Sequence, residues 1–326
     1  SESSISVSSI LLRYFSTNGM RIASNSHSPR LHCHKIFFSS SSKILPYNSF
    51  VEIKSLIEID YLSILEINGK GSSDLLQGQI TSDMDKVSSK NCALGAICNI
   101  KGRVLSSFIV SMNPYQEDSF FLISNHQVLQ NTKEVLEKYR PFYKCSMEIN
   151  NEYNFFGIRE EDLIMDFPET DLKSSFQNYE SFFRLHYLDK KFHLIALKSA
   201  AIEGYSISSD MEPWKLDEII CQNIEVSPDI VEKFTPHELG YHLTSRIDFE
   251  KGCYTGQEIV ARMHYRAKKL PTISVIKTEK IVKPFEEVLD LDGKSMGIIL
   301  SNARNDDSTS CLLSLNKNFL DQELDL

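Results

Sequence analysis

The stretch KGCYTGQE, residues 251–258, surrounds one cysteine with charged and amide side chains. Lys251 precedes Cys253, and Arg262 follows it on the continuation IVAR. Positive charge near a thiol lowers its pKa and makes it a better nucleophile. The glutamine and the glutamate that end the stretch offer hydrogen-bond partners to a ligand. The residue types therefore predict a reactive or ligand-facing cysteine.

Two glycines flank this cysteine. Gly252 and Gly256 permit positive φ and let a flat ligand or a partner backbone approach closely. If the following QEIVARM segment begins a helix, its free N–H groups favour an anionic group beside Cys253. The alternative is an ordinary glycine-rich turn before an amphipathic helix, with Cys253 as a small buried hydrophobic residue. The local pattern leaves both interpretations open.

The length and charge of the chain exclude some classes of function. Its 326 residues, 41% of them hydrophobic, are enough to bury more than one core. Because no run of about 18 apolar residues is present, we expect a soluble protein without membrane contacts. Residues 1–50 hold five basic residues against one acid, which leaves 30 basic against 43 acidic residues in the remainder. Such an acidic body repels a phosphate backbone, so we expect no direct nucleic-acid binding.

The cysteines are odd in number and contain no CxxC pair, which argues against a disulfide framework, a zinc ribbon or a cluster site. We therefore expect a reducing compartment and no stably bound metal or cluster. His237, His242 and His264 lie near KGCYTGQE in sequence, but their spacing matches no metal motif. We expect these histidines to be hydrogen-bonded or exposed. The seven cysteines are Cys33, Cys92, Cys98, Cys145, Cys221, Cys253 and Cys311.

Hydrophobic periodicity predicts an α+β fold with antiparallel sheets, because short strands and a few helices alternate without a regular strand-helix-strand repeat. A helix capped by Ser72 or Ser73 and a helix over 214–226 are among the predicted elements. We predict four segments: a Ser- and Arg-rich leader at 1–48, an α+β domain at 49–150, a second α+β domain carrying the signature at 151–270, and a small C-terminal β-barrel at 271–326.

The run KGCYTGQEIVAR resembles the signature of the YgfZ family of folate-binding proteins, which are related to the aminomethyltransferase (T-protein) of the glycine cleavage system. LLQGQITSDM at 75–84 and ALGAICNIKGRVLSSFIV at 93–110 resemble earlier family segments, and the resemblance covers roughly residues 50–315. It implies a GcvT-like multidomain fold around a central cavity. It also implies a tetrahydrofolate-binding accessory protein for iron-sulfur cluster assembly or repair, serving iron-sulfur enzymes that include tRNA-modifying ones.

The resemblance also implies roles for individual residues. Cys253 would be a redox-active or partner-facing thiol. The implied partners are folate and iron-sulfur assembly factors or client iron-sulfur proteins. The implied folate- or cavity-binding residues are Lys251, Tyr254, Gln257, Glu258 and Arg262 of the signature, with Gln79, Thr81, Asp83, Asn99 and Lys101 from the first domain.

Two departures from the aminomethyltransferase pattern limit what the resemblance implies. Those enzymes carry a paired Asp-Asp where this chain has Ser106 and Ser107. A serine hydroxyl at neutral pH holds no negative charge and is a poor general base, so we expect no classical turnover. Cys221 stands where a glutamate would hold the folate pterin.

Two alternatives to the accessory role remain. The first is a folate-dependent one-carbon transferase or demethylase, in which Asp83 or Glu258 replaces the missing carboxylate pair. The second is a non-catalytic scaffold with an inert, buried Cys253. For the compartment, the run VARMHYRAKK favours a bacterial cytoplasm, whereas the composition of the leader is typical of a mitochondrial transit segment and makes the matrix the alternative.

Overall fold

The computed structural model describes residues 54–159, 174–179, 182–186, 192–198, 205–267, 270–290, 293–305 and 308–316. The predicted leader at 1–48 lies outside the described residues. The chain divides into two compact units. The sheets and the site belong to the unit formed by Ser55–Ala200 and Ser206–Leu326, except that two strands begin with Lys54 and Tyr205 of the other unit. The predicted domain boundaries at 150 and 270 stay predictions.

The described residues alternate strands with a few short helices. The helices are α1 (Ser72–Gln79), α2 (His126–Glu137), α3 (Glu212–Ile220) and α4 (Gln257–Arg266). The strands are β1 (Lys54–Glu58), β2 (Leu62–Asn68), β3 (Ala93–Cys98), β4 (Val104–Met112), β5 (Ser119–Asn125), β6 (Ser146–Asn150), β7 (Asn154–Arg159), β8 (Phe176–Asn178), β9 (Phe182–Leu185), β10 (Phe192–Leu197), β11 (Tyr205–Ser208), β12 (Thr272–Thr278), β13 (Glu287–Leu289), β14 (Ser295–Asn305) and β15 (Ser308–Leu315).

A five-stranded sheet in the order β3-β4-β5-β2-β6 carries the first part of the site. Its neighbouring strands pair antiparallel throughout. All of β4 (VLSSFIVSM) except its last residue is buried, including its three serines. Helix α2 packs against β2, β4, β5 and β6, burying Val128, Leu129 and Leu136. The strand β4 is therefore covered by protein over nearly its whole length.

A six-stranded sheet in the order β11-β1-β7-β10-β9-β8 lies beside helix α3. Trp214 of α3 is fully buried against this sheet, and a Cβ added at Gly157 of β7 would lie 2.6 Å from its ring. That close approach explains a glycine inside a strand. The rings of Phe121, Tyr153 and Phe183 pack with centroids 5.5 to 5.7 Å apart. They belong to one hydrophobic core, to which β5 contributes Phe121 and β9 contributes Phe183.

The C-terminal segment forms a four-stranded sheet in the order β12-β15-β14-β13. The pairing of β14 with β15 shifts register between Ile299 and Ser301. Such an irregularity bends a strand and increases its twist. Helix α3 packs against β14 and β15, so the C-terminal sheet contacts the helix that also covers the six-stranded sheet.

The predicted α+β class with antiparallel sheets is confirmed, and two predicted helix ends are wrong. Helix α1 begins after Gly71, and no side chain caps it, so neither serine has the predicted role. Helix α3 ends at Ile220, six residues before the predicted end at 226, because Gln222 takes a left-handed φ of 53° that interrupts the helix. Every helix within the described ranges is too short or too polar to span a bilayer.

Candidate functional site

The signature loop, residues 251–256, connects the segment after Arg246 to helix α4. Gly256 precedes the helix with a φ of 84°, a conformation that favours glycine. A Cβ at this position would lie 2.4 Å from the carbonyl oxygen of Asn99. The prediction of a glycine-dependent close approach therefore holds at Gly256. Gly252 lacks a positive φ, and no protein atom lies within 4 Å of a Cβ added there, so approach of a ligand or partner at this glycine stays a prediction.

The turn after β3 is the surface that the signature loop contacts. Gly102 in that turn would place a Cβ 2.8 Å from the side chain of Ile259 in α4. The Asn99 side chain accepts hydrogen bonds from the backbone N–H groups of Lys101 and Arg103, at 2.9 and 3.0 Å. Asn99 therefore shapes the turn, and the side chain of Lys101 is exposed.

Lys251 anchors the signature loop to the end of helix α1. Its ammonium group donates to the carbonyl oxygens of Gln77, Ile80 and Ser82, each at 2.8 Å. These bonds use all three ammonium hydrogens and satisfy carbonyls at the end of a helix. Burial lowers the pKa of Lys251 to about 8, and Asp83 acts in the opposite direction. The structure thus gives this lysine a backbone-binding position.

Two further side chains predicted for the cavity bind neighbouring segments. Gln79, at the last position of α1, accepts a hydrogen bond from the hydroxyl of Thr255 at 2.8 Å. Thr81 is fully buried and its hydroxyl accepts from the Ala96 N–H at 2.9 Å. The same hydroxyl donates to the carbonyl of Arg246. Together with Lys251, these contacts hold the signature region against the first sheet.

The remaining signature residues differ in exposure. Tyr254 is 7% exposed, and burial raises the pKa of its hydroxyl. Gln257 is half-buried and its backbone N–H donates to the Tyr254 carbonyl at 3.1 Å. Glu258 and Arg262 are exposed on α4. Cys253 is also exposed, so the interpretation of this residue as a buried hydrophobic one is wrong.

A cavity of about 850 Å³ opens beside the signature loop. Of the residues predicted to line a cavity, Asp83 lies on its wall. The Asp83 carboxylate also accepts from the Gln77 side chain at 2.9 Å and from the Asp85 N–H at 3.2 Å. The wall includes Ser82, Asp83, Lys86, Cys92, Cys221, His186, His242, Leu243, Asp248, Phe249 and Glu250.

Ser106 and Ser107 are both buried in β4. Ser107 accepts a hydrogen bond from the Val226 N–H through its hydroxyl, at 2.8 Å. The Ser124 hydroxyl donates to the Ser107 carbonyl at 2.6 Å. The Ser106 hydroxyl has no hydrogen-bond partner among the described residues. Ser107 therefore joins β4 to the segment after α3.

A fully buried arginine, Arg246, was not predicted from the sequence. Its guanidinium donates to the side-chain oxygen of Asn223 at 2.9 and 3.2 Å. It also donates to the carbonyls of Gly95 and Phe108 at 3.3 and 3.1 Å. The Tyr241 ring centroid lies 5.1 Å from the guanidinium carbon. No local pattern marks this residue, because arginine is usually exposed and its burial depends on distant partners.

Phe249, His264, His237 and His242 form a row of flat side chains, which we call the aromatic column. Phe249 stacks on His264 with centroids 3.7 Å apart and planes at 18°. His237 lies 5.9 Å from His264 and 4.9 Å from His242. Both ring nitrogens of His237 are buried without a hydrogen-bond partner in the described parts of the chain. The prediction that these histidines are hydrogen-bonded or exposed is wrong for His237, which is fully buried.

Burial and neighbouring imidazoles favour the neutral form of His237 and His242. Burial, followed by the nearby His242 and His264, lowers the pKa of His237 to about 4. Burial and His264 also lower the pKa of His242. Across the described ranges, no three His, Cys, Asp or Glu side chains are placed to hold a metal ion.

Comparison with solved structures defines the class of fold. The crystal structure of glycine cleavage system aminomethyltransferase T from Bartonella henselae matches with a TM-score of 0.63. The match covers 83% of each chain at 14% sequence identity. At this identity the likeness concerns the fold alone, and the chain has an aminomethyltransferase-like α+β fold.

Comparison with curated proteins gives the family resemblance. The tRNA-modifying protein YgfZ of Colwellia psychrerythraea is 27% identical over 84% of this chain and 88% of its own length. The protein of the same name from Aliivibrio fischeri strain ES114 is 24% identical over 82% of this chain and 86% of its own. No protein-family model matches the sequence. The predicted resemblance to YgfZ is confirmed over more than four fifths of the chain.

Proposed function

We propose that this chain is a YgfZ-like, tetrahydrofolate-binding accessory protein that supports the assembly or repair of iron-sulfur enzymes, including tRNA-modifying ones. The observation that carries the proposal is the exposed Cys253 on a loop fixed at both ends. Lys251 binds three carbonyls at the start of the loop, and Gly256 packs on the Asn99 carbonyl at its end. A thiol held in this way is accessible to a partner protein in a defined position.

The cavity beside the loop supports the folate part of the proposal. Its volume of about 850 Å³ lies within the usual range of small-molecule sites, roughly 300 to 1,000 Å³. A pterin ring presents N–H donors and a flat face, and the wall offers carboxylates at Asp248 and Glu250 and a flat ring at Phe249. The glutamate tail of folate is anionic, and Lys86 on the same wall, which is paired with Asp248, carries positive charge. The residues present therefore fit the group, which would supply a one-carbon carrier.

We further propose an architecture, a compartment and protein partners for the chain. The four-stranded C-terminal sheet would be part of a small barrel, and the cavity would be the central one implied by the resemblance. The bacterial cytoplasm is the proposed compartment, with the mitochondrial matrix as the alternative. The proposed protein partners are iron-sulfur assembly factors or client iron-sulfur proteins.

Anaerobic calorimetric titration with tetrahydrofolate tests the folate site. We expect saturable binding to the wild-type protein and weaker binding to a Leu243→Trp variant, because Leu243 lines the cavity and is already 56% exposed. An Ile281→Trp variant is the matched control, since Ile281 is 82% exposed and is not among the residues of the cavity wall. A folded wild-type protein that binds no folate would refute this part of the proposal.

Genetic complementation tests the thiol. In a bacterial strain that lacks its own YgfZ, we expect Cys253→Ser to complement poorly and the control Cys145→Ser to complement like wild type. Cys145 is half-buried, and burial raises its pKa, so its thiol is less suited to reaction. Full complementation by Cys253→Ser would favour the scaffold alternative.

A folate-dependent one-carbon transferase stays the second candidate, because the Asp83 carboxylate lies on the cavity wall. The other proposed replacement, Glu258, is exposed on α4 and does not belong to that wall. Transfer of a labelled one-carbon unit from a folate donor, abolished by Asp83→Asn, would support this candidate over the accessory role.

A further inference from the structure

Helix α4 exposes one side to solvent along its whole length. Its exposed residues are spaced i, i+4, i+7 and i+8, which places them on a single face about 12 Å long. Val260, on the opposite side, is fully buried. The four exposed residues, which we call the outer face of α4, are Glu258, Arg262, Tyr265 and Arg266.

The charges of the outer face are unpaired within the described residues. The salt bridges there join other side chains, and none includes Glu258, Arg262 or Arg266. Glu258 and Arg262 have the i,i+4 spacing of a helical ion pair, yet no salt bridge joins them. The helix dipole accounts for an acid in the first turn and a base in the last, but Arg262 lies in mid-helix. The contacts of the described residues therefore give Arg262 no role.

Tyr265 adds an aromatic ring to the outer face. It is 68% exposed, although its ring also meets His264 and Phe249 edge to face, with centroids 4.8 and 6.1 Å apart. These contacts hold the ring in place, and a partner that covers its exposed side removes apolar surface from water. Tyrosine and arginine are enriched at protein interfaces, where they often contribute much of the binding energy. The outer face therefore has the composition of a protein-binding surface.

The outer face lies next to both parts of the proposed site. Its first residue, Glu258, follows the loop that carries the exposed Cys253. At its other end, Tyr265 contacts Phe249, which lies on the cavity wall. A protein bound to this face is thus close to the thiol and borders the cavity.

We propose that the outer face of α4 is the docking surface on which a protein partner meets Cys253, and that the partner supplies an acidic segment. Arg262 and Arg266 are one helical turn apart, which spaces their Cβ atoms about 6 Å. The segment therefore presents two carboxylates at that spacing and an apolar side chain that covers Tyr265. This inference rests on the proposed role of Cys253. It gives Arg262 a partner-binding role in place of the ligand-binding one that the resemblance implies.

A phosphate backbone is the other anion that two arginines could bind. The rest of the chain argues against it, because the formal net charge is -9 and an acidic body repels a long polyanion. A short acidic segment brings few charges close to that body. The electrostatics therefore favour a protein partner over RNA.

Fluorescence anisotropy with the full chain tests the docking surface. The probe is a short labelled peptide with a glutamate at every fourth position and leucines between them, so that a helix presents the required spacing. We expect saturable binding that weakens about tenfold in an Arg262→Glu, Arg266→Glu double variant, because attraction becomes repulsion at two positions. Tyr265→Ser should weaken binding about fivefold without any change in net charge.

A second double variant is the matched control. Lys277→Glu with Lys280→Glu changes the net charge by the same amount at exposed lysines outside α4. We expect it to weaken binding less than about twofold, because charges that do not contact the peptide are screened by salt. The conservative pair Arg262→Lys with Arg266→Lys should stay within about threefold of wild type. Urea unfolding checks that each variant keeps the wild-type midpoint.

Thiol reactivity measures whether the bound peptide lies beside Cys253. One form of the peptide carries a pyridyl disulfide at its first residue, and another form carries it at its last. The Cys253 thiolate attacks this disulfide, a new disulfide joins protein and peptide, and thiopyridone leaves. We expect one form to react about tenfold faster than the other, and the difference to disappear in the arginine double variant. Cys253→Ser gives the background reaction of the other cysteines.

Four outcomes overturn the proposal. The first two are no saturable peptide binding to the folded wild type and equal weakening in the lysine control. The third is saturable tRNA binding that the arginine double variant loses, which would assign the face to RNA. The fourth is weaker tetrahydrofolate binding in that variant with unchanged peptide binding, which would return Arg262 to the ligand-binding role.

The docking surface and the proposed function fail separately. Peptide binding needs neither folate nor a reactive thiol, so its absence leaves the folate titration and the Cys253→Ser complementation test intact. Full complementation by Cys253→Ser would remove the role of the thiol, whereas the anisotropy of the labelled peptide would still report the docking surface.

Discussion

At the scale of single residues, the two glycines beside Cys253 have different reasons to be glycine. Gly256 combines a φ of 84° with an added-Cβ distance of 2.4 Å to a backbone oxygen, whereas Gly252 has open space. We expect Gly256→Ala to lower the free energy of unfolding by about 2 to 3 kcal/mol, from strain and displacement of the Asn99 turn. Gly252→Ala is the matched control and should change it by less than about 1 kcal/mol. Urea unfolding measures both, and equal losses would contradict the assignment.

Lys251 gives a second prediction at this scale. Lys251→Met keeps much of the side-chain volume but leaves the carbonyls of Gln77, Ile80 and Ser82 without their donor. We expect the free energy of unfolding to decrease by about 2 to 4 kcal/mol, since each buried unsatisfied carbonyl is costly. The control Lys101→Met, at an exposed lysine, should be nearly neutral. Unchanged stability with weaker folate binding would return Lys251 to the predicted ligand-binding role.

Sequence reasoning found the signature but could not give the roles of its residues. The residue types indicated a close approach at Gly256, but they left open whether Cys253 is exposed or buried. Lys251, Arg246 and His237 are buried polar residues, and their partners lie far away in the sequence or depend on the packing of several segments. A single sequence carries no local signal for such contacts, because polar residues are usually exposed.

At the scale of secondary-structure elements, Arg246 joins β3 and β4 to the segment after α3. We expect Arg246→Met to lower the free energy of unfolding by about 3 to 5 kcal/mol, because Asn223 and two strand carbonyls lose their donor. Arg262→Met changes an exposed residue of α4 and should cost less than about 0.5 kcal/mol. The midpoint of urea unfolding distinguishes the two variants. An unchanged midpoint for Arg246→Met would show that the hydrogen bonds of Arg246 contribute nothing to stability.

The elements themselves were partly predictable. Hydrophobic periodicity predicted a fold of short strands and a few helices, because the side-chain period of a strand or a helix is a local property. The early end of α3 depends on the left-handed Gln222 and on the bond from the Asn223 N–H to the Glu218 carbonyl. Position 222 is a glutamine, and neither glycine nor asparagine stands there to predict a left-handed turn. The assignment of β1 and β2 to different sheets is a tertiary feature and was not predicted.

At the scale of the whole molecule, the net charge predicts how the protein interacts with nucleic acid. With a formal net charge of -9, the chain should not bind tRNA directly, even though its relatives are named tRNA-modifying proteins. We expect fluorescence anisotropy to show no saturable binding to labelled tRNA at micromolar protein and about 0.15 M salt. Binding that weakens steeply with added salt would contradict this prediction and indicate a local basic surface.

The placement of β1 and β2 in different sheets affects how the chain folds during its synthesis. The two strands are neighbours in sequence, yet β1 pairs with β7 and β2 pairs with β5 and β6. A nascent chain therefore cannot complete the five-stranded sheet until residues near 150 have left the ribosome, and the six-stranded sheet must wait for β11. Strand edges stay unpaired throughout that interval, and such edges promote aggregation. We expect the yield of folded protein in a cell to be limited more by how well the nascent chain is protected from aggregation than by the stability of the folded state.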